Sequence, residues 1–417
     1  MQLLQVLQLF RWVNQGFIIL TLCLLQYCLI HPLFPFMGMT PSLDTFHFIL
    51  LVVSVVFIAG AGYVINDYFD IAADQINKPE KVKIGLGKPI SKTFAMRSYI
   101  AFNVMGIVLS FYVAWKVGNY KLGYIHVFVA AMLWFYATTL KGKLLIGNFL
   151  VSFVIALCVS LVIFYDQNLL QLLLYQTKEG LQSFIEGLTG FEVSSTNEAP
   201  ANVEATRFIV SIIAAFVVFA FLLNFIREIV KDIQDIDGDK VAGYRTLPIV
   251  TSVGFAKLVA AGLSLLCLNF VIKVLVDELL LKQYVSAIGG TILVALPLIA
   301  IVGLLWRAVQ IPKDFKLISQ LTKGVMLAGL LYLPYFASTI QEPTEPVLSL
   351  EDMGIESFQI DTIYDEPAAM DTNFIEVTDS TAMEYIEGTE EGEILEFEID
   401  KDSIPSNIMD LLKNRKQ

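Results

Sequence analysis

Long apolar stretches, each about the length of a bilayer crossing, recur along the chain and are separated by short polar connections. Segments of about 20 mostly apolar residues lie near 13–31, 47–65, 94–115, 122–140, 144–165, 207–226, 250–274, 284–306 and 317–339. They are too long for strands and long enough to cross hydrocarbon as helices. The pattern predicts an all-α, polytopic membrane protein with nine transmembrane helices. The first segment has no cleavable-looking end and reads as a true span, not a signal peptide. Residues 1–12 read as a short amphipathic lead-in on the membrane surface, with Arg11 at the boundary of the first span. Residues 166–206 mix Leu-rich sequence from Leu169 to Leu174 with Ser194, Ser195, Asn197 and Pro200. That stretch reads as a loop insertion with room for one interfacial helix.

Composition agrees. The chain of 417 residues is 56% hydrophobic with a mean hydropathy of +0.67, against roughly 45–50% apolar residues in soluble domains. The connections after the second, fourth, sixth and eighth spans hold 14 Lys or Arg, whereas the opposite ones, with Lys273 at the end of the seventh span included, hold five. This bias puts the first set, and the N-terminus, on the cytoplasmic side, and an odd number of spans puts the C-terminus outside. The net charge of −12 is concentrated in residues 341–417, which carry 21 Asp or Glu against four Lys or Arg. Such a segment buries too little apolar surface to fold alone, so two regions are expected: a transmembrane domain over 1–340 and an acidic, disordered tail over 341–417. Cys23, Cys28, Cys158 and Cys267 lie within apolar segments without ligand spacing and read as packing residues. His31, His47 and His126 are too scattered for a zinc site or a serine hydrolase.

Against this sparing use of charge, one pattern occurs twice. Asp-x-x-Asp-x-x-x-Asp appears as Asp67, Asp70, Asp74 and again as Asp232, Asp235, Asp239, each copy following a long apolar segment. On a continuous helix, offsets of zero, three and seven bring the carboxylates onto one face within roughly 60° of arc. Both edges fall on the same predicted side of the membrane, and the matching arrangement hints at an internal pseudo-repeat around a shared cavity. Bases follow the acids: Lys78, Lys81, Lys83 and Lys88 after the first edge, Lys240 and Arg245 after the second. Mg²⁺ prefers a few carboxylates together with water and phosphate oxygens, and nearby Lys and Arg neutralise the remaining phosphate charge. The set suits a diphosphate whose organic part lies in an apolar bundle, as in a prenyl diphosphate. Tyr63, Tyr68, Phe69, Trp134, Phe135 and Tyr136 are candidate wall residues that would face an allylic cation.

These residues resemble the UbiA superfamily of intramembrane prenyltransferases over roughly residues 7–340. Asn66-Asp67-x-x-Asp70-x-x-x-Asp74 with Asn77-Lys78-Pro79 is similar to the family's first Asp-rich motif, and Asp235-x-x-x-Asp239, preceded by Asp232, to its second. Arg11-x-x-Asn14, Tyr136, Lys141 and Gly147-Asn148 are supporting matches. The resemblance implies nine helices around a central cavity, with both motifs capping it on the cytoplasmic side. It implies Mg²⁺ as cofactor, held by Asp67, Asp70, Asp74, Asp232, Asp235 and Asp239. Asp70, Asp74, Asp235, Asp239 and Tyr136 would be catalytic, Tyr136 by shielding the cation. Asn66, Lys78, Lys141, Arg227, Arg11 and Asn14 would bind substrate.

The run from Arg227 to Ile233 with Gly238-Asp239 is most similar to the branch of geranylgeranylglycerol-phosphate geranylgeranyltransferases. The expected partners are a polyprenyl diphosphate, a lipophilic acceptor and the bilayer, with no nucleic acid. An aromatic, quinone-precursor acceptor is the alternative substrate. The loop after Asn77, from Lys81 to Pro89, departs from the tight Arg-Pro-x-x-Ser-Gly run of relatives and leaves acceptor and chain length open. A cation-coupled transporter is the rival class; carriers place polar features near mid-bilayer, whereas here the charges gather at one face.

Overall fold

The structure, a computed structural model, describes residues 9–35, 39–77, 82–85, 90–189, 203–280, 282–307 and 312–339. The chain divides into two units, Met1–Thr344 and Glu345–Gln417. Every described residue belongs to the first. The acidic tail, the start of the amphipathic lead-in and Lys78 lie outside the described residues.

Among the described residues the architecture is helical: α1 Trp12–Leu33, α2 Thr45–Phe69, α3 Ile71–Asn77, α4 Lys92–Lys116, α5 Tyr120–Leu140, α6 Ile146–Phe164, α7 Gln167–Thr189, α8 Val203–Gln234, α9 Ile236–Val241, α10 Leu247–Val250, α11 Val253–Leu280, α12 Tyr284–Arg307 and α13 Pro312–Thr339. Nine of these, all but α3, α7, α9 and α10, are long and apolar enough to cross a membrane, so the expected number of spans holds. The chain is an integral, multi-pass membrane protein.

Local chemistry sets the boundaries. The Asp44 carboxylate accepts from the His47 amide at 2.8 Å and caps α2, and Ser91 caps α4 by accepting from Phe94 N at 3.2 Å. Asp166 opens α7: its Oδ1 accepts from the Asn168 and Leu169 amides, while its Oδ2 accepts from Ser42 N at 2.9 Å. Burial pushes this carboxyl above its usual range, and the same amides oppose the rise. The region read as a loop insertion with room for one helix therefore begins with a helix of 23 residues.

The sixth span also differs from its expected extent, 207–226. Its helix continues to Gln234, and Glu228 near this end is buried. The charged last turns stay helical because they turn inward, where partners neutralise them.

Packing is pairwise between neighbours: α2 against α4, α6 against α8, α11 against α12, and α8 against α11 and α13. One apolar core unites α1, α2, α6, α7 and the start of α8 through residues such as Leu25, Phe48, Leu51, Val162 and Ile209. A second joins the latter half of α8 to α11, α12 and α13 through Ile226, Ala260, Leu298 and Ile318. Buried hydroxyls within the helices bond back to carbonyls one turn earlier, as Ser152 does to Asn148 O and Thr322 to Ile318 O. This satisfies them without water. Between the two cores lies a cavity of about 970 Å³.

Candidate active site

Neither acidic edge sits on a continuous helix. The α2 helix ends at Phe69, Asp70 is non-helical (φ −82°, ψ 0°), and α3 resumes at Ile71. The second copy repeats this break: α8 ends at Gln234, Asp235 has φ −103° and ψ 11°, and α9 follows. The expectation that each trio shares one face of one helix is therefore corrected. The middle aspartate of each trio is a hinge, and the short helix beyond it folds back, so that α3 and α9 pack against each other. The two edges meet at one mouth.

The lining of a small chamber at this mouth includes Asp74, Asp232, Asp235 and Asp239, together with Tyr136 and Lys141. Asp70 is 3% exposed; its Oδ2 accepts from Asn66 Nδ2 at 2.7 Å and from the Lys141 ammonium, while its Oδ1 is buried without a hydrogen-bond partner. Asn148 donates to Asp232 Oδ2 at 2.8 Å. Asp67 turns the other way and takes Arg11 at 2.5 Å, and Arg11 also lies over the Tyr63 ring, 5.0 Å from its centroid.

Electrostatics follow from burial and these partners. Burial alone would lower the Lys141 ammonium, but the Asp70 charge outweighs it and raises it. Burial likewise opposes the Arg11 charge, and Asp67 and Tyr63 more than compensate. Burial pushes the Asp239 carboxyl up to about 6, against the pull of Lys141, with Asp235 adding to the rise. Burial, then the Asp70 and Asp239 charges, pushes the Tyr244 phenol up to about 12. Two cations share one carboxylate close by: Glu228 takes Arg227 at 2.8 Å and Lys231 at 3.1 Å. Arg227 Nε is buried with no acceptor. Asp70 thus has a buried acceptor atom, and Arg227 a buried donor atom, outside the hydrogen bonds described here.

Backbone geometry delivers these side chains. The last turn of α5, Tyr136–Leu140, is a π-helical turn, an insertion frequent at functional sites. It ends one residue before Lys141. Two of the three described non-glycine residues with positive φ, Arg11 (50°) and Leu145 (57°), start the helices α1 and α6 that border the mouth. The Arg245 amide donates to Gly142 O at 2.7 Å, tying the loop after α9 to the loop after α5.

The large cavity opens from the same mouth. Arg11, Asn14, Asn66, Tyr136 and Arg227 line its polar end. Tyr136 lines both chambers, so it stands where a diphosphate in one would meet a hydrocarbon chain in the other. Of the candidate wall aromatics, Tyr63 and Tyr136 are on the cavity lining. Tyr68, Phe69 and Trp134 instead stack among themselves and with Tyr99, and Phe135 is 49% exposed on the outer surface. Adjacent residues on a helix point about 100° apart, so a run of aromatics cannot all face one cavity.

Sequence reasoning gave no role to Glu228, Lys231, Tyr244 and Thr246, all on the small chamber, or to Lys323, which lines the large cavity within α13. Spacing held a signal for two of them: Glu228, Lys231 and Asp232 fall at helical offsets on one face. His126 has no role in that reading either. It lines the cavity, 3% exposed, with its Nε2 3.1 Å from Ser54 Oγ.

The donor set suits a hard divalent cation, since the small chamber offers carboxylate oxygens and Asp70 has an oxygen to spare. Among the described residues no three His, Cys, Asp or Glu converge closely enough to hold an ion by themselves. Mg²⁺ itself takes one or two carboxylates and fills its octahedron with water and phosphate oxygens.

The chain is similar to several known proteins. The digeranylgeranylglyceryl phosphate synthase of Methanobrevibacter smithii is 31% identical over 215 residues, covering 52% of this chain and 62% of the relative. That of Methanosarcina mazei is 32% identical over 214 residues, covering 50% and 58%. The matched part of the chain thus spans about three fifths of these relatives' length. A solved structure of a UbiA homolog from Archaeoglobus fulgidus bound to GPP and Mg²⁺ superimposes with a TM-score of 0.45 at 14% identity, covering 79% of this chain and 99% of that one. The UbiA prenyltransferase family matches residues 29–316, more than two thirds of the sequence, and the chain belongs to that family.

Proposed function

We propose that the protein transfers a prenyl group from a polyprenyl diphosphate to a lipophilic acceptor, with Mg²⁺ bound between the two acidic edges. The observation that carries this reading is the junction of α3 with α9, which joins two aspartate edges at the mouth of a cavity of about 970 Å³. Asp70, Asp74, Asp235 and Asp239 would hold the metal, with Asp232 kept in place by Asn148 and Asp67 orienting Arg11. When bound, Mg²⁺ would offset diphosphate charge and make it a better leaving group. Lys141, Arg227 and Lys78 would neutralise what remains. The carbon–oxygen bond breaks with its electron pair leaving on the diphosphate, the acceptor oxygen bonds to the freed carbon, and the hydroxyl proton passes to the departed diphosphate. Tyr136 faces the allylic cation and keeps water from it.

Geranylgeranylglycerol phosphate is the favoured acceptor, on the strength of relatives named digeranylgeranylglyceryl phosphate synthase and of a cationic mouth in which Arg227 and Lys231 share a single carboxylate. A quinone-precursor phenol is the alternative. The excess of Lys and Arg in the connections on this face supports a cytoplasmic mouth. Residues 1–340 are taken as the catalytic domain and 341–417 as an acidic appendage. The test is a labelled prenyl diphosphate offered to purified protein with both acceptors present. Turnover that requires Mg²⁺ and favours the phosphate lipid supports the reading; turnover that is absent with both acceptors removes it.

A further inference from the structure

The large cavity has a second polar end, far from the aspartates. Glu278 lies in the last turn of α11 and Ser286 in the first turn of α12, on either side of the α11–α12 connection. The helix α11 begins next to the mouth and is 28 residues long, so its last turn lies roughly 40 Å along the axis from its start. Here Glu278 Oε1 accepts from Ser286 Oγ at 2.6 Å and from the Tyr332 hydroxyl of α13 at 2.7 Å. Its second oxygen, Oε2, is buried and has no hydrogen-bond partner. Glu278, Ser286 and Tyr332 all line the cavity, and so does the neighbouring Asp277.

Joining three helices would account for Oε1 but not for Oε2. A buried carboxylate oxygen without a donor is costly. The surroundings narrow what supplies the donor. Val274, Val285, Leu293 and Leu331 line the cavity here and are also 53%, 71%, 56% and 53% exposed, so this end opens sideways towards the bilayer. An occupant arriving that way has apolar tails and a head group near the helix ends, facing two acidic side chains.

We propose that Glu278, fixed by Ser286 and Tyr332, binds the head group of a bilayer lipid that carries an N–H-bearing ammonium. The ammonium donates to Oε2 and balances the charge, while the acyl chains lie along the four exposed apolar side chains. This is distinct from the diphosphate chemistry at the mouth, and it needs no turnover to be seen.

The experiment incubates the full-length protein in detergent with equal amounts of phosphatidylethanolamine and phosphatidylcholine of the same acyl chains, and measures the lipid retained after gel filtration by mass spectrometry. Both heads are zwitterionic and carry a positively charged nitrogen beside the phosphate, but the choline nitrogen has no N–H. Wild-type protein should favour phosphatidylethanolamine by about tenfold, the worth of one charge-assisted hydrogen bond. Glu278→Gln keeps an acceptor for the two hydroxyls and places an amide where Oε2 was; it should lose the preference with an unfolding midpoint close to wild type. Should that variant not fold, enrichment of ethanolamine lipid over the host membrane in lipid co-purified with wild type serves as the second measurement. Equal retention of the two lipids by wild type, or a preference that survives Glu278→Gln, would overturn the proposal, and a water or a purely structural clamp would then account for Oε2.

Discussion

The side-chain amide of Asn148, in the first turn of α6, donates to Asp232 Oδ2 in the last turn of α8 at 2.8 Å. The bond fixes the first aspartate of the second edge from a neighbouring helix. Asn148→Leu removes the donor and keeps the bulk. The expected result is a KM for the prenyl diphosphate raised about tenfold, since one hydrogen bond to a charged group corresponds to roughly 1.5–3 kcal/mol. Steady-state kinetics at saturating Mg²⁺ measure it, and an unchanged KM would detach Asp232 from the substrate site.

Lys141 pairs with Asp70 in a setting where only 3% of the Asp70 side chain is exposed. Removing the cation strands a buried anion, a change that costs about 3 kcal/mol or more. Lys141→Met should therefore lower unfolding stability in detergent by that order. Combining it with Asp70→Asn should recover most of the loss, because the stranded charge is gone, yet neither protein should turn over. A double variant no more stable than Lys141→Met would mean the pair is not what stabilises the mouth.

Tyr136 contributes to both chambers. If its ring shields the cation from water, Tyr136→Phe should lose less than about tenfold in turnover, whereas Tyr136→Ala should lose about a hundredfold or more. The alanine variant should also release free prenyl alcohol, formed when water replaces the acceptor. Product analysis by chromatography separates the outcomes, and equal alcohol from both variants would count against shielding.

Asp239 supplies a pH dependence whose sign is fixed. Burial raises its carboxyl to about 6, above roughly 3.9 in an unfolded chain. The folded, metal-free protein holds this proton more tightly than the unfolded one. Its contribution to stability is thus fully present below about pH 4 and is lost as pH rises through about 6. If Asp239 holds the metal as proposed, activity runs oppositely, because a metal ligand must be ionised. Turnover should fall as pH drops through about 6, and added Mg²⁺ should shift the midpoint lower. Asp239→Asn should abolish the shift. A midpoint insensitive to Mg²⁺ would remove Asp239 from the metal set.

Hydropathy was enough to read the nine spans, because each is a run of apolar residues long enough to cross a bilayer and needs no tertiary information. The doubled aspartate pattern likewise marked the mouth. What the pattern concealed was the breaks at Asp70 and Asp235, since no proline or glycine announces either. They depend on α3 and α9 packing against each other, a contact between residues far apart in sequence. The same limit applies to Glu228 and Lys231, whose charges suggest a solvated helix end until the bundle is seen to bury them. Glu278 offered still less, since its partners Ser286 and Tyr332 come from two other helices.

The proposed function requires the two edges to act as one clamp on a metal-bound diphosphate. Binding of an unreactive prenyl thiolodiphosphate, followed by calorimetry with and without Mg²⁺, tests it without any acceptor. Binding should depend on Mg²⁺, and Asp70→Asn and Asp235→Asn should each weaken it by about a hundredfold, the scale of a lost ligand or charged partner. The double variant should lose less than the sum, because either loss opens the same clamp. Wild-type affinity in either single variant, or binding indifferent to Mg²⁺, would contradict it.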